Sequence, residues 1–196
     1  MLLVTFLLTV LTNLTTAVEV GLILSVLLFV RGMSGTLRVS KVLPDSTDKH
    51  EKIKAYMVSE GHDCPQISIV TLEGPLFFGT ANILEESIMD MIHLNPKILL
   101  IRMSKVLYVD TTGESKLARV VKEFTKVGGS VLIAEIQPQS LEVFKKTELY
   151  LLIGRDHFFE HTGEAIDYAL ARIEHDKCIG CKHFVFRECE TISDFK

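Results

Sequence analysis

The run from Leu2 to Val30, LLVTFLLTVLTNLTTAVEVGLILSVLLFV, holds a single charged side chain, Glu19. No other feature restricts the fold so much, because so long an oily stretch must be hidden in lipid or in a large core. As one straight helix it would reach about 43 Å, against a hydrocarbon layer of about 30 Å. Its polar centre, Thr12-Asn13-Leu14-Thr15-Thr16, divides it, so the pattern predicts two apolar helices, 2–12 and 17–30, joined near Asn13. The second is just long enough to span with help from its flanks, and the first is too short for a full crossing. A cropped first helix accounts for that, so Met1 is not expected to open the natural protein. A cleavable signal peptide is disfavoured, since it wants a basic start and no Lys or Arg precedes Arg31. A buried hairpin in a soluble core is disfavoured by the length of the uncharged run, and a single kinked span stays open as a third reading. Arg31, Arg38 and Lys41 follow the last apolar residue. The positive-inside rule then puts the C-terminal part in the cytoplasm, beneath the cell inner membrane. Glu19, about one turn inside the second helix, reads as a carboxylate reaching the interface or a neighbouring helix, in preference to a transport-path group.

Beyond the apolar run the chain changes character. Residues 32–65 contain Gly32, Gly35, Pro44, Gly61 and Pro65 among mixed charges and read mostly as a linker, in which HEKIKAYMVSE could form a short helix or strand. From Gln66 the periodicity is regular. Ile67, Ile69, Val70 and Leu72 suit a strand, Gly74-Pro75 breaks it, and Leu76-Phe77-Phe78 suit a second. A helix over 82–93, with Asn82 as candidate N-cap, is followed by the buried-strand run KILLIRM. Leu117, Val120, Val121, Phe124 and Val127 make a helical stripe, stopped by Gly128-Gly129. A buried strand, SVLIAEI, precedes a helix opened by Pro138, then a short strand and a helix in which Ile166, Ala169, Leu170 and Ile173 share a face. This alternation predicts an α/β sheet with right-handed crossovers over 66–173, followed by a Cys/His-containing tail over 174–196.

Charge narrows the function. With 21 Lys and Arg against 25 Asp and Glu, the chain carries a formal net charge of −4, which disfavours a nucleic-acid binder. Four cysteines in a chain of 196 residues are too few for a secreted disulfide scaffold. No Walker-type phosphate loop and no Ser/His/Asp or Cys/His catalytic set can be assembled, so enzyme function has little support. His157 and His161 read as surface loop residues.

The tail HDKCIGCKHFVFREC suggests metal chemistry. Cys178 and Cys181 have the C-x-x-C spacing of tetrahedral zinc, and Cys189 with His175 or His183 would complete a Cys3His set. Unliganded structural thiols and a redox pair have the same signature. Cys64 stands alone in the linker.

VEVGLILSVLLFVRGMS, EGPLFFGTAN, VLYVDTTGESKL and VLIAEIQPQ occur here in the order seen at the C-terminal end of bacterial SulP-type anion permeases, the sulfate-permease relatives, and the chain resembles that family over roughly 5–173. Its soluble part resembles the STAS domain shared by sulfate transporters and anti-sigma-factor antagonists. The resemblance implies fourteen membrane helices, of which residues 2–30 are similar to the last two. It also implies a small sheet with helices on one face, and a cytoplasmic domain that regulates or assembles the membrane part, with a homodimer and the remaining permease helices as partners. The half-helices that bind the anion in that family have no counterpart here, so this chain by itself is not expected to form the anion site. It reads as a fragment, a truncated reading frame or a separately made membrane-tethered STAS protein.

Asp110-Thr111-Thr112-Gly113 resembles the Asp-Ser-Ser/Thr-Gly turn of anti-sigma-factor antagonists, where a partner kinase phosphorylates a hydroxyl residue. That implies a switch at Thr111 or Thr112 and a kinase as partner. A helix N-terminus favours an added phosphate, and about two new negative charges would alter a docking surface. The same residues also fit a plain cap: Thr111 with Glu114 as a capping box, or Asp110.

Overall fold

A computed structural model of the chain describes residues 6, 9–10, 13–34, 37–40, 64–92, 96–183, 185–186, 188–189 and 192. It divides into two compact units, Met1–Thr36 and Leu37–Lys196.

The first unit contains helix α1 (Leu14–Ser34). Its opening bond runs from the Ala17 amide to the Asn13 carbonyl at 3.1 Å, so the helix starts at the foreseen divide but takes in Thr15 and Thr16. Asn13 there holds the place of an N-cap residue, which explains why the polar residues begin the helix instead of joining two others. Leu14, Val18, Leu22, Ile23, Val26, Leu27 and Phe29 are all exposed. A helix bare and apolar on every side is built for an apolar surround. Among the described residues no helix is long and apolar enough to cross a membrane; along α1 the described side chains end at Phe29. Most of the segment 2–12 lies outside the described residues.

The second unit is built on a five-stranded sheet: β1 (Arg38–Ser40), β2 (Ile67–Glu73), β3 (Ile98–Lys105), β4 (Ser130–Ala134) and β5 (Phe158–Phe159), in that spatial order. β1 runs antiparallel to β2, and all later pairs are parallel. The register sets Ile69 beside Leu100 and Leu100 beside Leu132. Helices α2 (Ala81–Ile92), α3 (Thr111–Lys126), α4 (Pro138–Lys146), α5 (Leu149–Ile153) and α6 (Thr162–Leu170) complete it.

Side-chain alternation sorts the core into two layers. Val70, Leu72, Leu99, Ile101, Met103, Val131 and Ile133 pack against α2 to α5 through Leu84, Ile88, Leu117, Val121, Phe124, Phe144 and Ile153. Ile67, Ile98, Leu100, Leu132 and Ala134 pack against α6 and the tail, through Ala165, Ile166, Ala169, Ile173, Val185 and Phe186. The expectation of helices on one face is therefore corrected: four lie on one side, and α6 with the tail covers the other. The reason is the unbroken apolar run of β3, whose two faces both need cover.

Three local readings also change. Leu76-Phe77-Phe78 forms no strand; Leu76 makes only an isolated bridge to Val109. The fully buried Thr80 breaks the segment, its hydroxyl donating to the Pro75 carbonyl at 2.9 Å and accepting from the Phe77 amide at 3.1 Å. α2 then begins at Ala81, so Asn82 lies inside the helix and does not cap it. Arg38–Ser40, within the stretch read as linker, is an edge strand. The segment HEKIKAYMVSE lies outside the described residues.

Phe124 is fully buried, and the ring edge occupies the space where a β-carbon on Gly129 would stand, 2.5 Å from Cε1. Phe124→Ala is expected to lower the stability of the unit 37–196 by about 3–5 kcal/mol in urea unfolding, while Leu151→Ala, at an exposed site, changes it by less than about 0.5 kcal/mol.

Candidate functional site

The parallel strands β3 and β4 end on the same side of the sheet, and polar chemistry collects there, as is usual for α/β sheets. After β3 the chain passes Leu107 and Tyr108 and turns into α3 at Asp110. Asp110 is the N-cap: its backbone is extended, and its Oδ1 accepts from the Gly113 amide at 2.7 Å. Its Oδ2 accepts from the Phe78 amide at 3.1 Å, in the loop before α2. One carboxylate thus starts a helix and ties down the neighbouring loop. Backbone bonds reinforce the tie, from the Asp110 amide to the Leu76 carbonyl at 3.0 Å and from the Leu76 amide to the Tyr108 carbonyl at 2.9 Å.

Gly113 is fixed by the same contact. A β-carbon there would lie 2.5 Å from the Leu76 carbonyl oxygen, a backbone atom with no room to retreat. Of the two caps left open by the sequence, Asp110 is the one used. The Thr111–Glu114 capping box is not formed, because Asp110 already occupies the amide that such a box would need. Glu114 is buried, and Thr111 and Thr112 face solvent. Around them the surface is apolar: Phe78, Leu107 and Tyr108 are 70%, 67% and 59% exposed. Large bare side chains beside a rigid turn suit contact with another protein surface.

Beside this turn, Glu85 of α2 takes Lys116 and Arg119 of α3, the latter at 3.3 Å. The Lys116 hydrogen bond holds the Glu85 carboxyl below its ordinary range. The pair staples the two helices and leaves the hydroxyls of the turn free of that network.

A second polar group was not singled out in the sequence. Arg102, buried in β3, donates from Nε to Thr162 Oγ1 at 2.7 Å and from Nη2 to Glu135 Oε2 at 2.9 Å. The Thr162 hydroxyl and amide, at the start of α6, both donate to Glu135 Oε1. Glu135 sits at φ 58°, a left-handed conformation unusual outside glycine. Burial acts to raise its carboxyl, but Thr162 and Arg102 together bring it below the usual range. The one available signal was an arginine inside an otherwise apolar strand. A buried charge at that place demands a partner, though the sequence does not say which.

The third group is formed by sulfur. Cys64, Cys178, Cys181, Cys189 and His183 line one cavity of about 20 Å³ with Gln66, Ile173 and Phe186 among its walls. All four cysteines are free thiols. Burial pushes the Cys64, Cys178 and Cys189 thiols up. The structure thus joins Cys178, Cys181 and Cys189 as the spacing suggested, keeps His183 at the cavity and leaves His175 out: its Nε2 lies 3.0 Å from the Leu170 carbonyl. It also adds Cys64, which the sequence left alone in the linker. Among the described residues no three His, Cys, Asp or Glu side chains are already arranged to hold a metal ion.

With this geometry in hand, relatives were compared. A family model described as the STAS domain matches residues 58–165. The putative sulfate transporter YvdB of Bacillus subtilis is 35% identical over 160 residues, covering 82% of this chain and 28% of the relative. Among solved structures, murine Solute Carrier 26 family member A9, an anion transporter in the inward-facing state, superposes with TM-score 0.70 at 22% identity, covering 87% of this chain and 28% of that one. A sulfate transporter family protein from Wolinella succinogenes superposes with TM-score 0.50 at 26% identity, covering 54% of this chain and 85% of that one. The chain thus spans under a third of the length of the curated relative and of the murine transporter.

Two outcomes are expected. Asp110→Ala removes cap and tie together and lowers stability by about 1–2 kcal/mol in urea unfolding of the unit 37–196, with Asp110→Asn in between. Because the folded-state pKa of Glu135 is depressed from 4.5, its stabilisation is present above that value and is lost as pH falls through the folded value. Glu135→Gln is therefore expected to be less stable at neutral pH and to show a shallower loss on acidification, read from urea midpoints across pH 3–7.

Proposed function

The chain belongs to the STAS-domain family, and from that we propose that it is the C-terminal part of a SulP-type transporter of sulfate-like inorganic anions. In this reading α1 and the segment before it are the last helices of the permease membrane domain. The α/β unit lies on the cytoplasmic side of the inner membrane and regulates or assembles that domain. The carrying observation is α1: one helix with exposed apolar side chains on all sides, in the same chain as a STAS module. The match to a putative sulfate transporter over most of the chain supports it. Anion selection belongs to membrane segments upstream, and no enzymatic step is part of the reading. Phe78, Leu107 and Tyr108 form the assembly surface, through which the homodimer or the membrane domain is engaged.

The alternative, a membrane-tethered module of the anti-sigma-factor-antagonist kind, draws support from the exposure of Thr111 and Thr112 at the start of α3. It gives no reason for the apolar helix, and transport is the stronger reading.

The test has two parts. The chain is expected to sediment with membranes and to resist alkaline carbonate extraction, whereas Leu22→Lys combined with Val26→Lys is expected to release it. Joined to its upstream membrane helices in proteoliposomes, it is expected to support labelled sulfate uptake that falls sharply when 37–196 are deleted, and that Thr111→Ala with Thr112→Ala leaves intact. Recovery of the unaltered chain in the soluble fraction, or uptake indifferent to the deletion, would defeat the transporter reading. Uptake abolished by the threonine pair would favour the phosphorylation switch.

A further inference from the structure

We propose that Cys64, Cys178, Cys181 and Cys189 form a four-thiolate zinc site that clasps the segment entering β2 to the C-terminal tail. The chain has four cysteines in all, and every one of them lines the same cavity, three from the tail and one from far upstream. A Cys3His set built on His175 is excluded by the turn of its ring toward the Leu170 carbonyl, and the thiol of Cys64 takes the fourth position.

The surroundings are those of a metal-thiolate centre. The Cys181 amide donates to the Cys178 carbonyl at 3.0 Å, closing a tight turn. Gly180 within it sits at φ +74°, a conformation that a side chain would resist, and this turn brings both thiols to one cavity. Amide hydrogens of Gln66 and Ile67 serve Cys64, and those of Val185 and Phe186 serve Cys189. Gln66 Nε2 donates to Cys178 Sγ at 3.5 Å. Donors converging on sulfur stabilise thiolates bound to a metal, while a neutral thiol is only a weak acceptor. Pro65, Leu170, Ile173, Val185 and Phe186 supply a dry wall. The volume of about 20 Å³ exceeds the ~10–15 Å³ that one water needs.

Four sulfur ligands in a closed tetrahedral shell are the pattern of structural zinc. Binding exchanges four S–H bonds for four Zn–S bonds and releases four protons to solvent, with no change of oxidation state. The thiols draw in on the ion as the shell closes. The clasp would fix Val185 and Phe186 over Ile67 and Ile98, sealing the second layer of the core.

The test uses the full chain purified in detergent. About one equivalent of zinc per chain is expected by elemental analysis after reconstitution and desalting. Cobalt substitution of the unaltered protein is expected to give the strong sulfur-to-metal charge-transfer bands and tetrahedral d–d bands of a four-thiolate site. Cys64→Ser, Cys178→Ser, Cys181→Ser and Cys189→Ser should each lose most of the metal, while His175→Ala and His183→Ala should keep it. Thiol titration should find four protected thiols before chelation and four reactive ones after. Failure of the unaltered protein to take up zinc or cobalt overturns the site without depending on any variant's folding. So does zinc retained in full by Cys64→Ser, zinc lost by His183→Ala, or a Cys178–Cys181 disulfide found in place of metal.

Discussion

Strand β3 is buried on both faces from Ile98 to Met103, and the remaining architecture follows from that burial. Each of its apolar side chains contributes up to about 1.5–3 kcal/mol when taken out of water, but only if both sides of the sheet are roofed. Helices α2 to α5 roof one side. The other side depends on α6 and on the tail, through residues as late as Phe186. Residues beyond the last long helix are therefore part of the core and not an appendage, which is why contacts there matter to the whole unit.

The functional edge of the sheet is organised by backbone contact more than by side-chain chemistry. Asp110 and Gly113 act at one point: a carboxylate supplies two hydrogen bonds, and a missing β-carbon lets the Leu76 carbonyl close in. The result is a rigid corner that presents Thr111, Thr112 and an apolar rim. The buried Arg102–Glu135–Thr162 network braces the far end of the same edge, holding α6 to β3 and β4. Its charges are matched within the fold, so it steadies the edge and does not reach a ligand.

Much of this was legible in the residue order. The strands of β2, β3 and β4, the stripe of α3 and the shared face of α6 come from periodicities of two and 3.6, which local geometry imposes on any amphipathic element. Asp110 was a candidate cap because capping needs only neighbours in sequence. Other features were hidden for an equally physical reason. Leu76-Phe77-Phe78 is as apolar as a strand, yet Thr80 and the Asp110 tie bend it into a loop. Arg38–Ser40 is too short to have a period, and becomes a strand only because Glu73, Leu72 and Thr71 offer it an edge.

The sequence by itself determined that an uncharged apolar stretch precedes an alternating α/β module, that the module turns at Asp110, and that sulfur is concentrated near the C-terminus. These are properties of runs and spacings, and each is decided within a few turns or one strand. Only the tertiary structure decided that α6 lies on the opposite face from the other helices, that Glu135 answers Arg102, and that Cys64 joins Cys178, Cys181 and Cys189 at one cavity. Those are meetings between residues far apart along the chain, and they are set by how strands register and layers pack, which no local pattern records.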